Sequence, residues 1–132
     1  MTDRRSLVSV VDDDESVRES LPQLLRLSGF AAQAFSSAEA FLGSDVVSET
    51  SCLLLDIAMP GMSGPDLQQE LARRQRKIPI VFITGLADAS IRPRLLARGA
   101  EECLIKPFSE AALLDAVRAA LRRPYSQPSR PT

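Results

Sequence analysis

Five residues of this chain could do chemistry together: Asp12 and Asp13, Asp56, Thr84 and Lys106. Each stands directly behind or at the end of a short apolar run, four runs in all. Three carboxylates brought together raise one another's pKa, and a divalent cation relieves the repulsion. A donor set of oxygens alone selects Mg²⁺ or Mn²⁺ over softer metals. An ammonium such as Lys106 neutralises part of the charge, and a hydroxyl such as Thr84 donates to an oxyanion. A carboxylate nucleophile, a metal, a Lys and a Thr are together the parts needed for phosphoryl transfer. Singly each has an ordinary explanation: acids collect at helix N-termini, Asp and Thr occur in turns, and Lys-Pro pairs are common. Their joint arrival at four strand ends is what chance does not readily supply.

The elements that must position these residues are legible from apolar patterning. Cys52-Leu53-Leu54-Leu55-Asp56 is apolar without alternation and is followed by Met59-Pro60-Gly61. It reads as a central strand buried on both faces. Leu7 to Val11 makes a first strand running into Asp12-Asp13-Asp14-Glu15, with Asp14 as N-cap of a helix to Ser28. Val17, Leu21, Leu24, Leu25 and Ser28 share one face of it, and Pro22 is an anomaly that should kink it. Phe30 to Phe35 is a weaker second strand; Ser37 caps a short helix to Leu42, with Gly43 behind it. Ser44 to Ser51 reads as a polar loop. Pro65 suits the first turn of a third helix that ends in the basic run Arg73 to Lys77, a solvated helix C-terminus. Ile78 to Thr84 is a fourth strand, and a fourth helix starts near Ile91 with Pro93 in its first turn and stops at Gly99. Cys103-Leu104-Ile105 is a fifth strand, and Ser109 caps a last helix with Leu113, Leu114, Val117 and Leu121 inward. Strand and helix alternate five times with short connections, which makes a parallel sheet covered on both faces. In such a sheet all C-terminal strand ends share one edge, where ligands bind.

At 132 residues the chain is one domain with room for a core, and its net charge of −1 is no nucleic-acid footprint. It has no His, which excludes histidine catalysis and histidine metal ligands. Cys52 and Cys103 lie in apolar runs, as buried thiols of a reducing cytosol would. No run approaches the ~20 residues of a membrane span, and no secretory segment fits, so a cytoplasmic location is expected. The last nine residues, 124–132, hold three prolines and no periodicity, and read as a linker or disordered end behind a domain of residues 1–123. No helix-turn-helix pattern is present in these residues, so DNA binding is not expected of this chain alone. Such a tail is expected of a fragment of a longer protein, a stand-alone domain being the alternative.

The residues Val11-Asp12-Asp13, Leu55-Asp56, Met59-Pro60-Gly61-Met62-Ser63-Gly64, Ile83-Thr84-Gly85 and Lys106-Pro107-Phe108 together resemble the receiver domain of bacterial two-component response regulators. The likeness covers Leu7 to about Arg122 and resembles most the regulators with a LuxR-type helix-turn-helix output. It implies a flavodoxin-like (βα)5 fold, a doubly wound parallel sheet of strand order 2-1-3-4-5. It also implies that Asp56 accepts a phosphoryl group from a sensor histidine kinase. Asp13, Asp56 and the backbone carbonyl of Ala58 would bind Mg²⁺, with Asp12 acting through a metal-bound water. Thr84 would bond the phosphoryl oxygen and Lys106 would pair with the phosphate. Such a domain is a phosphorelay switch for transcription regulation rather than a conventional enzyme, although it catalyses its own phosphotransfer from small donors and its own slow dephosphorylation.

The chain departs from that family at Cys103, which stands where an aromatic switch residue is usual. Readout is therefore expected through the Thr84–Leu86 segment and the fourth helix, with Gly85 to Ser90 as an adjustable connection. The resemblance also implies a phosphorylation-dependent homodimer through the fourth helix, fifth strand and fifth helix. There Arg92, Arg94, Arg98, Glu101, Glu102, Asp115 and Arg118 offer charges of both signs. Two other readings compete. A haloacid-dehalogenase-type phosphohydrolase has the same Asp, Thr, Lys order but needs a second Asp two positions after the nucleophile, where Ala58 stands. A phosphorylation-independent scaffold would have lost some of the five residues, and all five are present.

Overall fold

Five strands pair in parallel because each apolar run is followed by a helix that carries the chain back over the sheet. In the computed structural model, which describes residues 5–85 and 90–122, the strands are β1 (Leu7–Val11), β2 (Ala31–Phe35), β3 (Thr50–Asp56), β4 (Ile80–Thr84) and β5 (Glu102–Ile105). Their order is β2-β1-β3-β4-β5, so β3 is central and β2 and β5 are the edges. The helices are α1 (Glu15–Leu27), α2 (Ala38–Leu42), α3 (Gly64–Arg73), α4 (Arg92–Ala97) and α5 (Glu110–Arg122). The expected doubly wound architecture and strand order are those observed.

Alternation along the strands builds two cores. Val8, Val10, Cys52, Leu54, Val81 and Ile83 meet α1 and α5 on one face. Val11, Leu53, Leu55, Ile80 and Phe82 meet α2, α3 and α4 on the other. β3 is apolar throughout because both of its faces are covered. One polar pair crosses the sheet interior, where the Ser9 and Thr50 hydroxyls lie 2.8 Å apart. Cys52 and Cys103 are free and buried thiols, and burial pushes the Cys52 thiol up to about 12.

Several boundaries differ from expectation for local reasons. The stretch 44–51 is not simply a polar loop, because a 3-10 turn at Val47–Glu49 buries Val47 and β3 begins at Thr50. The Thr50 hydroxyl donates to Val46 O at 2.7 Å, which ties that turn to the strand. β4 starts at Ile80 rather than Ile78 because Pro79 has no N–H to donate, although its carbonyl still accepts from Leu53 N at 2.9 Å. α1 runs unbroken through Pro22, which is buried with Leu21 and Leu25, and Ser28 is its C-cap rather than a face residue. In α5 the buried positions are Leu113, Ala116, Val117 and Ala120. Leu114 and Leu121 are only partly buried, since the small alanines let the helix lie close to the sheet. Ser109 caps α5 as expected, its hydroxyl accepting from Ala112 N at 3.0 Å. The basic run after α3 is exposed, and Arg73 and Arg74 pair with Glu70 at 2.5 and 2.7 Å. The Pro-rich tail and most of the Gly85–Ser90 connection lie outside the described residues.

Candidate functional site

Parallel pairing brings the C-terminal ends of β1, β3, β4 and β5 to one edge, and the side chains there are those singled out by type. Asp12 follows β1 and stays in the sheet through its N–H, which donates to Phe35 O at 3.1 Å. Asp56 is the last residue of β3 and Thr84 the last of β4. Thr84 pairs in register with Ile105, and Lys106 N donates to Thr84 O at 2.8 Å, so the lysine backbone extends the ladder by one step. Carboxylate oxygens of Asp12, Asp13 and Asp56 all lie within 4.8 Å of one another. Lys106 Nζ is 3.6 Å from Asp12 Oδ2.

Burial makes this cluster electrostatically unsettled. Asp12 is fully buried, Thr84 is 1% exposed and Asp56 is 9% exposed, while Asp13 faces solvent. Asp12 Oδ1 accepts from Asp14 N at 2.9 Å, but Asp12 Oδ2 has no hydrogen-bond partner. Burial raises the Asp12 carboxyl above its ordinary value, against the opposing pull of the Asp14 N–H and the Lys106 ammonium. Asp56 is pushed up to about 7, first by burial and then by the charge of Asp12. A buried oxygen without a donor costs free energy, and three acids share one ammonium among the described residues. A divalent cation held by oxygens would meet both needs, so the residues present fit one.

The neighbouring loops are shaped around Asp56. Gly64 N donates to Ile57 O at 2.9 Å, and a Cβ on Gly64 would lie 2.3 Å from Asp56 O. The start of α3 therefore rides on the backbone of the candidate nucleophile, fixed by a capping box between Ser63 and Asp66. The Lys106–Pro107 peptide bond is cis. Ala58 sits exposed in the loop between β3 and α3. The Thr84 hydroxyl donates to Gly85 O at 3.3 Å, not to a carboxylate.

Comparison with known proteins identifies the architecture. Residues 8–118 match the response regulator receiver domain. The chain belongs to that family. The receiver domain is 43% identical over 122 residues to the response regulator protein TodT of Pseudomonas putida, covering 92% of this chain and 54% of TodT. It is 42% identical over 120 residues to the transcriptional regulatory protein FixJ of Azorhizobium caulinodans, covering 91% of this chain and 57% of FixJ. The crystal structure of FixJ-N superposes with a TM-score of 0.81 at 34% identity, covering 93% of this chain and 97% of that one. The receiver domain spans about half the length of the curated relatives it matches.

Sequence reasoning missed Arg18 and offered Arg92 and Glu102 only as charges of a dimer face. Arg18 Nη1 donates to Asp12 O at 3.1 Å and so holds the loop between β1 and α1. Arg92 Nε donates to Cys103 O at 3.2 Å, and its Nη2 to Glu102 Oε1 at 2.7 Å, which ties α4 to β5 beside the small Cys103. Helix phase alone could have placed Arg18 above Asp14. Nothing short of the fold could have paired residues ten apart across a helix and a strand.

Proposed function

We propose that this receiver domain is a phosphorylation-dependent switch in which Asp56 is the phosphoacceptor and the output lies in another part of a longer protein. The observation that carries the reading is the cluster of Asp12, Asp13 and Asp56 within 4.8 Å, with the ammonium of Lys106 at its edge. An Asp56 oxygen attacks phosphorus of a phosphohistidine on a sensor kinase, or of a small acyl phosphate. A P–O bond to Asp56 forms as the bond to the leaving group breaks, and the leaving group departs with the electron pair. Water later attacks the acyl phosphate, returning the Asp56 carboxylate and inorganic phosphate.

In this reading Asp13, Asp56 and the Ala58 carbonyl would hold Mg²⁺ or Mn²⁺, with Asp12 acting through a bound water, and the bound cation would supply charge neutralisation for the transferring phosphoryl oxygens. Lys106 moves its charge from Asp12 toward the phosphoryl oxygens, and Thr84 turns its hydroxyl from Gly85 O to one of them. Residues 1–123 form the receiver unit and 124–132 a linker. FixJ of Azorhizobium caulinodans is a transcriptional regulatory protein, which supports a transcriptional output. No helix among the described residues is long and apolar enough to cross a membrane, and a cytoplasmic place beside a kinase is proposed with that. A homodimer through α4, β5 and α5 is the proposed consequence of phosphorylation. Arg92 and Glu102 already pair within the chain; Arg94, Arg98, Glu101, Asp115 and Arg118 complete the charges of both signs proposed for that face.

Intact mass after incubation with Mg²⁺ and acetyl phosphate tests the reading. One phosphoryl mass is expected on the wild type, none on Asp56→Ala and none without the cation, with a shift toward dimer in sedimentation of the same samples. An adduct that survives Asp56→Ala refutes the assignment.

A further inference from the structure

We propose that Glu39, on the short helix α2, is a positioning residue for the cation site, acting through the loop that joins β3 to α3. Its carboxylate reaches across 23 residues of sequence, and Glu39 Oε2 accepts from the backbone N–H of Met62 at 3.0 Å. An acid in the first turn of a helix is ordinary, but this one is directed at another segment.

A second observation shows that the loop is built to receive it. Gly61 has φ +76, a left-handed conformation that L side chains rarely adopt. A Cβ there would also lie 2.8 Å from Glu39 Oε2. Glycine at that position both turns the loop and lets the carboxylate lie against its backbone.

Among the described residues the loop is otherwise held by hydrogen bonds at its feet and by Met62, which packs partly buried against the core. At the inner end Gly64 N closes on Ile57 O at 2.9 Å; at the outer end Ser63 N donates to Asp66 Oδ2 at 3.1 Å. Met59 adds an apolar anchor in the core beneath. Between feet and apex stands Ala58, whose carbonyl is one of the proposed cation ligands. α2 is a firm base for the contact, because Ala38 and Phe41 are fully buried and Phe41 meets Phe35 edge to face at 5.5 Å. Glu39 thereby fixes the height of the loop apex, and with it the direction of the Ala58 carbonyl.

The inference rests on the proposed cation site, and the test keeps the two apart. Mg²⁺ binding is read by calorimetry, independently of phosphotransfer, in the wild type, Glu39→Ala and Glu39→Gln. Glu39→Ala is expected to weaken Mg²⁺ by about tenfold, as loss of an outer support does, while the phosphorylation rate at saturating Mg²⁺ stays at the wild-type level. Glu39→Gln is expected to stay near wild type, because its amide oxygen still accepts from Met62 N. Gly61→Ala, which pushes the acceptor away, should weaken Mg²⁺ as Glu39→Ala does, and the double variant should lose little more than either alone. An unchanged Mg²⁺ affinity in Glu39→Ala overturns the proposal. Equal losses in Glu39→Ala and Glu39→Gln overturn it too, since charge rather than loop position would then be acting. A wild type that binds no Mg²⁺ refutes the underlying cation site instead, and one that binds Mg²⁺ but takes no phosphoryl group refutes the switch alone.

Discussion

In its proposed role Asp56 has to be dry enough to act as a nucleophile and still carry its charge, and these demands conflict. Burial and the Asp12 charge lift its carboxyl to about 7. In the cation-free protein the folded chain then holds a proton that the unfolded chain releases above about pH 4. Stability must therefore fall as pH rises from about 4 toward 7 and level off above it. The shift bounds the effect at about 4 kcal/mol, and water at the sheet edge with the Lys106 charge nearby reduces the expected loss to about 1–2 kcal/mol. Denaturant melts in chelator should show that slope in the wild type and a much flatter one in Asp56→Asn. At pH 7.5 Asp56→Asn should be the more stable by the same amount, and saturating Mg²⁺ should remove most of the difference. Glu70, held down to about 2 from its ordinary value of 4.5 by its bonds to Arg73 and Arg74, contributes the opposite slope between those values and so opposes the fall only at the foot of that window. Lys106→Met tests the other half of the charge balance. It should lift the Asp12 and Asp56 carboxyls further and slow phosphotransfer at pH 7 more than at pH 9.

Among the elements, the start of α3 is the most tightly constrained. Gly64→Ala places a methyl 2.3 Å from Asp56 O. It should destabilise by about 3 kcal/mol in chemical denaturation, because the contact is with backbone that cannot swing aside. Gly85→Ala meets nothing within 4 Å and should stay within about 0.5 kcal/mol of wild type. Apolar periodicity revealed every strand and the five numbered helices, since each strand buries a face or two and Asp14, Ser37 and Ser109 mark helix starts. It did not reveal the turn at Val47–Glu49, whose one buried side chain has no period, nor the start of β3 at Thr50, whose hydroxyl is satisfied by Val46 and Ser9. In α5 it favoured Leu114 and Leu121 over Ala116 and Ala120, because hydrophobicity outranks size until the sheet is seen to lie close. At the candidate site Asp12, Asp13, Asp56 and Lys106 were legible as a group because strand ends in a parallel sheet must converge. Glu39 was not, because it acts on a backbone group distant in sequence, and Arg92 was read as a dimer-face charge rather than as the tie to β5 that it makes.

For the molecule as a whole, the sheet separates two cores that meet only through the strands. Leu54 lies fully buried on the α1–α5 side and Leu55 on the other. Leu54→Ala and Leu55→Ala should each cost about 3 kcal/mol in denaturant unfolding, and a single transition is expected for both because one sheet serves both cores. The two should nonetheless differ in function. Leu55 stands beside the α2–α3 face that carries the Glu39 contact, so its loss should weaken Mg²⁺ binding more than the loss of Leu54 does.

The position of β3 between β1 and β4 has a consequence for how the protein breathes. Local opening begins at the margins of a sheet and reaches the middle only when the whole structure unfolds. Amide protons of Leu53, Leu54 and Leu55 should therefore exchange with solvent only through global unfolding, while those of β5 exchange through partial openings. The proposed phosphoacceptor stands at the end of the strand expected to exchange most slowly, and Lys106 follows an edge strand expected to open earlier. A phosphoryl group joining the two would fasten the edge to the centre. Phosphorylation should accordingly slow exchange in β5 and α4, and in β3 by a similar factor, because the same contact is also lost on global unfolding.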